Sequence, residues 1–221
     1  MKKSVSLIVF CCMSMLSNAQ ESTAKNSANF ELGSGLNFSF NEGNYQFQLG
    51  GFIQPSFNYS KPEGLDPDYE FNSKRAFLII AGKAEKEKVS FLIQTDYSNS
   101  EPLLDAWVAY HPSNNITITV GQKQTFTNNR EMTFREDRLQ FTDRSLLSQT
   151  LSNTGREFGV FVTSKFMLGS QFGIAPMVAV TSGDGRNSFG SDSRDTDLGG
   201  LKIGGRFDVY PLGYFTQGND L

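Results

Sequence analysis

From Tyr45 to Tyr59 apolar and polar residues alternate, and this limits what the chain can fold into more than any other feature. The odd positions read Tyr45, Phe47, Leu49, Gly51, Ile53, Pro55, Phe57 and Tyr59. The even positions are mostly polar, with Gln46, Gln48, Gln54, Ser56 and Asn58. Side chains of a strand point alternately to its two faces, so this segment is a strand with one apolar and one polar side. In a soluble protein the apolar side packs on a core. In a transmembrane barrel it meets lipid, with tyrosines at headgroup level.

The pattern repeats down the chain and predicts an all-β protein. Eight strands are expected at about 45–59, 74–84, 89–98, 103–111, 116–125, 156–166, 172–181 and 199–210. Most have the length that a tilted strand needs to cross a bilayer. Val89, Phe91, Ile93 and Tyr97 oppose Ser90, Gln94, Asp96 and Ser98, and Phe158, Val160 and Val162 oppose Glu157 and Thr163. The second strand is ambiguous, because Phe77 and Ile79 oppose the equally apolar Leu78 and Ile80. Alternation alone fits a solvated β-sandwich as well as a barrel.

The connections separate the two. Long gaps at 60–73, 126–155 and 182–198, and a modest one at Asn99–Pro102, alternate with tight ones at Glu85–Lys88, Pro112–Asn115 and Met167–Gln171. Outer-membrane barrels have this rhythm, with long extracellular loops on one rim and short periplasmic turns on the other. A Greek-key sandwich has no reason to keep it. An antiparallel transmembrane β-barrel is therefore expected.

The first residues agree. Lys2 and Lys3, the apolar Val5 to Phe10, and Ser17-Asn18-Ala19 form a secretory signal peptide over 1–19, with cleavage expected after Ala19. Both cysteines, Cys11 and Cys12, leave with it, so no disulfide or thiolate site is expected. Loss of Lys2 and Lys3 takes the net charge from −3 to −5, which argues against nucleic acid as a partner. No later apolar run is long enough for a membrane helix. Residues 20–44 read as an N-terminal leader, with a short strand or periplasmic extension over Phe30–Phe40.

The longest gap carries the chemistry. Residues 126–155 hold Arg130, Arg135, Arg138 and Arg144 beside Glu131, Glu136, Asp137 and Asp143, with Phe126, Phe134 and Phe141 as possible anchors. Loops this long are usually functional. Folded into a lumen, its guanidinium groups would form a constriction that binds passing anions. Left outside, its charges would only keep it soluble. Lone His111 sits at a strand end and is expected to be a rim residue; neither a triad nor a histidine metal site can be assembled around it. Asp184, Asp192, Asp195 and Asp197 lack EF-hand spacing and read as a solvated loop. No cofactor, metal or catalytic residue is expected.

An ordered series of short motifs then resembles a known family. It comprises Gly50-Gly51-Phe52-Ile53-Gln54, Lys74-Arg75-Ala76-Phe77-Leu78 with Gly82-Lys83, and Leu104-Asp105-Ala106-Trp107-Val108-Ala109-Tyr110. Val120-Gly121-Gln122, Phe134-Arg135-Glu136, Arg144-Ser145-Leu146 and Gly155-Arg156-Glu157-Phe158-Gly159-Val160 follow. From about Tyr45 to Phe215 the chain resembles the N-terminal half of the phosphate-selective porin O/P family of Gram-negative outer membranes. The resemblance implies a sixteen-stranded barrel, a homotrimer in outer-membrane lipid, and a third extracellular loop folded inward after the fifth strand. It implies passive diffusion of small phosphate-like anions or general hydrophilic solutes, and no enzyme. Anion contacts are then expected at Arg130, Arg135, Arg138 and Arg144, with Lys123 and Arg206 on the pore wall. The acids interspersed in the loop fit a general porin.

On this reading residues 45–221 are the N-terminal half of a barrel, with Pro211-Leu212-Gly213 a periplasmic turn leading onward. Eight strands alone would enclose only side chains. A small eight-stranded barrel without a channel, and a soluble periplasmic β-rich ligand-binding protein, are the alternatives.

Overall fold

The computed structural model describes residues 26–125, 146, 155–186 and 200–214. Eleven strands form one antiparallel sheet in which sequence neighbours pair almost throughout. The strands are β1 (Ser27–Glu31), β2 (Gly35–Phe40), β3 (Tyr45–Ser60), β4 (Asp68–Ala84), β5 (Val89–Asp96) and β6 (Leu103–Ser113). After them come β7 (Ile116–Gln124), β8 (Arg156–Ser164), β9 (Phe166–Leu168), β10 (Phe172–Thr181) and β11 (Lys202–Tyr210). The order runs β1 to β8, then β10 and β11, with β9 also on β10. Among the described residues the sheet is all-β, as expected, and is not closed.

The expected count of eight strands is corrected to eleven. Two of the additions, β1 and β2, lie in the stretch read as a leader. Another, β9, arises because the expected strand 156–166 breaks at Lys165, and both pieces pair with β10. The expected loop 60–73 shrinks because β4 starts at Asp68. There Phe57 pairs with Phe71 and Tyr59 with Tyr69, and their rings lie 4.7 and 5.3 Å apart. Cross-strand aromatic pairs of this kind stabilise a hairpin beyond what local propensity indicates.

Register sorts the side chains into two faces. One row reads Phe38, Phe47, Gly82, Phe91, Val108, Val120, Val160, Val180 and Ile203 across successive strands. This row is apolar and bare: Val108 is 55% exposed, Val120 49% and Val160 44%. Gly82 belongs in it because any Cβ there would meet the Phe91 ring. The adjacent row, on the other face, reads Asn29, Asn37, Gln48, Ala81, Leu92, Trp107, Gly121, Gly159, Thr181 and Lys202. On this second face sit the buried Gln94, Asp105, Thr119, Glu157 and Thr181, beside Phe77, Ile79 and Phe161. The ambiguity of the second expected strand is thereby settled, with Phe77 and Ile79 turned to the polar face. The usual distribution is inverted: apolar side chains are bare and polar ones covered.

Short turns close one rim. At Glu85-Lys86-Glu87 three non-glycine residues in a row take positive φ, at 53°, 53° and 70°. Left-handed backbone costs such residues about 1–2 kcal/mol each. The Lys86 amide, donating to Asn44 Oδ1 of the neighbouring turn at 3.0 Å, helps hold them. Lys86→Gly keeps that backbone donor and relieves the strain, so it should raise stability by about 0.5–1 kcal/mol in urea unfolding of the micelle-bound chain.

Candidate functional site: the polar wall

The covered face carries a network of charges held by neighbouring strands. Arg156, at the start of β8, donates from Nε and Nη2 to Asp105 Oδ2 of β6, both at 3.1 Å. Their side chains are 9% and 8% exposed. The pair reaches across β7 at the foot of the 126–155 segment, where the Thr125 amide donates to the Gly155 carbonyl at 3.0 Å. The base of the long loop is thus clamped to the sheet.

Next along β8, Glu157 is 2% exposed. It accepts a hydrogen bond from the Thr181 hydroxyl and another from Lys202 Nζ at 2.6 Å. Lys123 faces Glu157 in register, and its ammonium lies 5.8 Å from the Trp107 ring centre and 5.5 Å from that of Phe161. These are cation–π distances. Gly121 and Gly159 lie side by side between Trp107 and Thr181. A Cβ at Gly159 would run into the Val180 carbonyl oxygen and the Thr181 backbone, so the strands approach closely there. Arg206 Nε donates to Asp208 Oδ1 at 2.7 Å on the same face of β11.

Other polar groups shape the rims. Asp96 accepts from the Ala76 and Ser98 amides, the Ser98 hydroxyl and the Asn99 amide nitrogen at 2.7–3.1 Å, fixing the turn after β5. His111 Nε2 lies 2.8 Å from the Ser90 hydroxyl and its Nδ1 3.0 Å from that of Thr117. The histidine therefore braces β5, β6 and β7, a structural role at a strand end. The Gln94 side chain is fully buried, and both ends of its amide lack a partner among the described residues.

Of the residues singled out in the sequence, Lys123 and Arg206 stand on the polar face. Arg130, Arg135, Arg138 and Arg144 lie outside the described residues, as do Asp192, Asp195 and Asp197. Trp107 falls on the polar side of its strand. The Asp105–Arg156 and Glu157–Lys202 pairs were missed as pairs. Their members were visible as charges on polar faces or within a motif, but separations of 51 and 45 residues hide the partnership.

A meander of antiparallel strands with a bare apolar face and a charged, hydroxyl-rich inner face is built as the wall of an outer-membrane porin. The chain belongs to the family of phosphate-selective porins O and P, whose family model matches residues 47–198. It is therefore a bacterial outer-membrane porin, and membership of this family points to a channel for small solutes. A search among curated proteins gives no match.

Proposed function

We propose that this porin passes small hydrophilic solutes passively, phosphate-like anions among them. The channel is a sixteen-stranded barrel, assembled as a homotrimer, and residues 45–221 supply its N-terminal half. Residues 1–19 are the signal peptide, cut after Ala19, and 20–44 the leader, of which β1 and β2 extend the sheet beside β3. The 126–155 loop folds into the lumen, and Arg130, Arg135, Arg138 and Arg144 line the constriction. Lys123 and Arg206 contribute from the wall.

The observation that carries the proposal is the clamp at the loop's foot. Asp105–Arg156 and Thr125–Gly155 close its base at the adjoining ends of β7 and β8. Arg156, Lys202 and Arg206 are each matched by a carboxylate, so the wall is a weak electrostatic filter. Anion preference then falls to the loop arginines. In a planar lipid bilayer under a KCl gradient the reversal potential should show anion preference. Changing all four loop arginines to Gln should abolish it. A reversal potential unmoved by those four substitutions would contradict the assignment of the constriction.

A further inference from the structure

At the short-turn rim the polar face folds into a groove of about 440 Å³ between β1 and β6. Its size falls within the range of small-molecule sites, roughly 300–1,000 Å³. The lining is mostly uncharged, and Phe38, Phe47 and Phe91 of the apolar row border it as well. Asn37, Gln46 and Gln48 contribute amides, Ser39 and Ser90 hydroxyls, and Trp107 stands at the far side. Lys83 is the one charged residue in the lining, and its ammonium is paired with Glu87 at 3.0 Å.

The orientation of the amides decides what such a groove can hold. Gln48 Nε2 donates to the Ser34 carbonyl at 2.7 Å, Gln46 Nε2 to Gly43 at 3.3 Å and Asn37 Nδ2 to Gly35 at 3.4 Å. Each nitrogen uses one of its two N–H groups on a backbone carbonyl, so the amides keep an oxygen acceptor and a second N–H donor for a solute. Ser90 in turn is tied to His111. With the lone cation held by Glu87, these amides and hydroxyls offer both donors and acceptors, a set that matches the hydroxyl groups of a neutral solute better than a full charge. The indole of Trp107 and the apolar Leu92 add surface for the C–H face of a ring.

We infer that this groove is a binding subsite for a neutral, polyhydroxylated solute of mono- to disaccharide size. It rests on the porin reading only in taking the polar face as the solute-facing face.

Trp107 is the sole tryptophan of the chain and lies both in the groove lining and against Lys123, so the Gln48 and Asn37 variants below assign a change in its fluorescence to the groove. Maltose titrated into the full chain in detergent micelles should change the emission saturably, in the millimolar range, and the change should persist in 1 M KCl. Inorganic phosphate should give no saturable change. Gln48→Leu and, independently, Asn37→Leu should weaken maltose binding about tenfold or more, the scale of one lost hydrogen-bonding partner. Circular dichroism checks that both variants remain folded. Saturation by phosphate and not by maltose, or no saturation by maltose at all, would overturn the inference. Conductance in a bilayer is read separately: conduction without a maltose response removes the groove and leaves the porin, and a maltose response without conduction does the reverse.

Discussion

Arg156→Leu is expected to destabilise the folded chain by about 3–5 kcal/mol, the cost of leaving one member of a buried ion pair behind. Asp105 is 6% exposed and receives both of the contacts described from Arg156. With the guanidinium gone its carboxylate stays covered and loses its compensating charge. The effect should be local as well as global, because Arg156 directly follows the Gly155 carbonyl that closes the loop base. The double substitution Asp105→Leu with Arg156→Leu removes both charges and should recover most of the loss. The check is urea unfolding of the micelle-bound chain followed by far-UV circular dichroism. A single substitution costing less than about 1 kcal/mol, the level of an exposed pair, would show that the pair is solvated and that the clamp is not structural.

The second large effect is expected on the opposite face. Val120 is half exposed, and an arginine at such a position on a water-soluble protein normally changes stability by within about 0.5 kcal/mol. Val120 lies in the middle of the apolar row, between Val108 and Val160. In a bilayer its side chain meets hydrocarbon, and a midplane arginine costs roughly 2–4 kcal/mol. Val120→Arg should therefore lower stability by that amount in lipid vesicles. Tyr45→Arg, near the short-turn rim, should cost about 0–1 kcal/mol. Equal, small costs at both positions would mean that the apolar face meets water.

Much of this arrangement was legible in the chain itself, and the exceptions have physical causes. Tyr45–Tyr59 could be read as a strand because one of its faces meets a uniform apolar medium, which imposes strict alternation. The β4 register could not be read at Phe77–Ile80, where the polar face also carries large apolar residues: Phe77 stacks on Phe52 at 4.7 Å and Ile79 lies beside Gln94. The early start of β4 was hidden by Glu70 and Asn72, which look like loop residues until their pairing with Asn58 and Ser56 is seen. Over Phe30–Phe40 a short strand or periplasmic extension is expected and β2 lies there, whereas β1, with five residues, holds too few alternations to stand out. On the site, Lys123 was visible as a charge on a polar face. Its two aromatic neighbours were not, because Trp107 and Phe161 come from different strands. The clamp depends on contact across β7, which no local pattern encodes.

The central claim is that the two faces of this sheet meet different media, lipid on one side and an aqueous lumen on the other. It is tested most directly by single-cysteine scanning from Ile118 to Gly121 and from Val160 to Val162, in a chain beginning at Gln20, which has no cysteine of its own. A fluorophore attached to each cysteine is challenged in vesicles with a nitroxide-bearing lipid and with aqueous iodide. The account predicts alternation: lipid quenching after Ile118→Cys, Val120→Cys, Val160→Cys and Val162→Cys, and none after Thr119→Cys, Gly121→Cys or Phe161→Cys. Quenching by iodide at all seven positions, with no alternation, would contradict it.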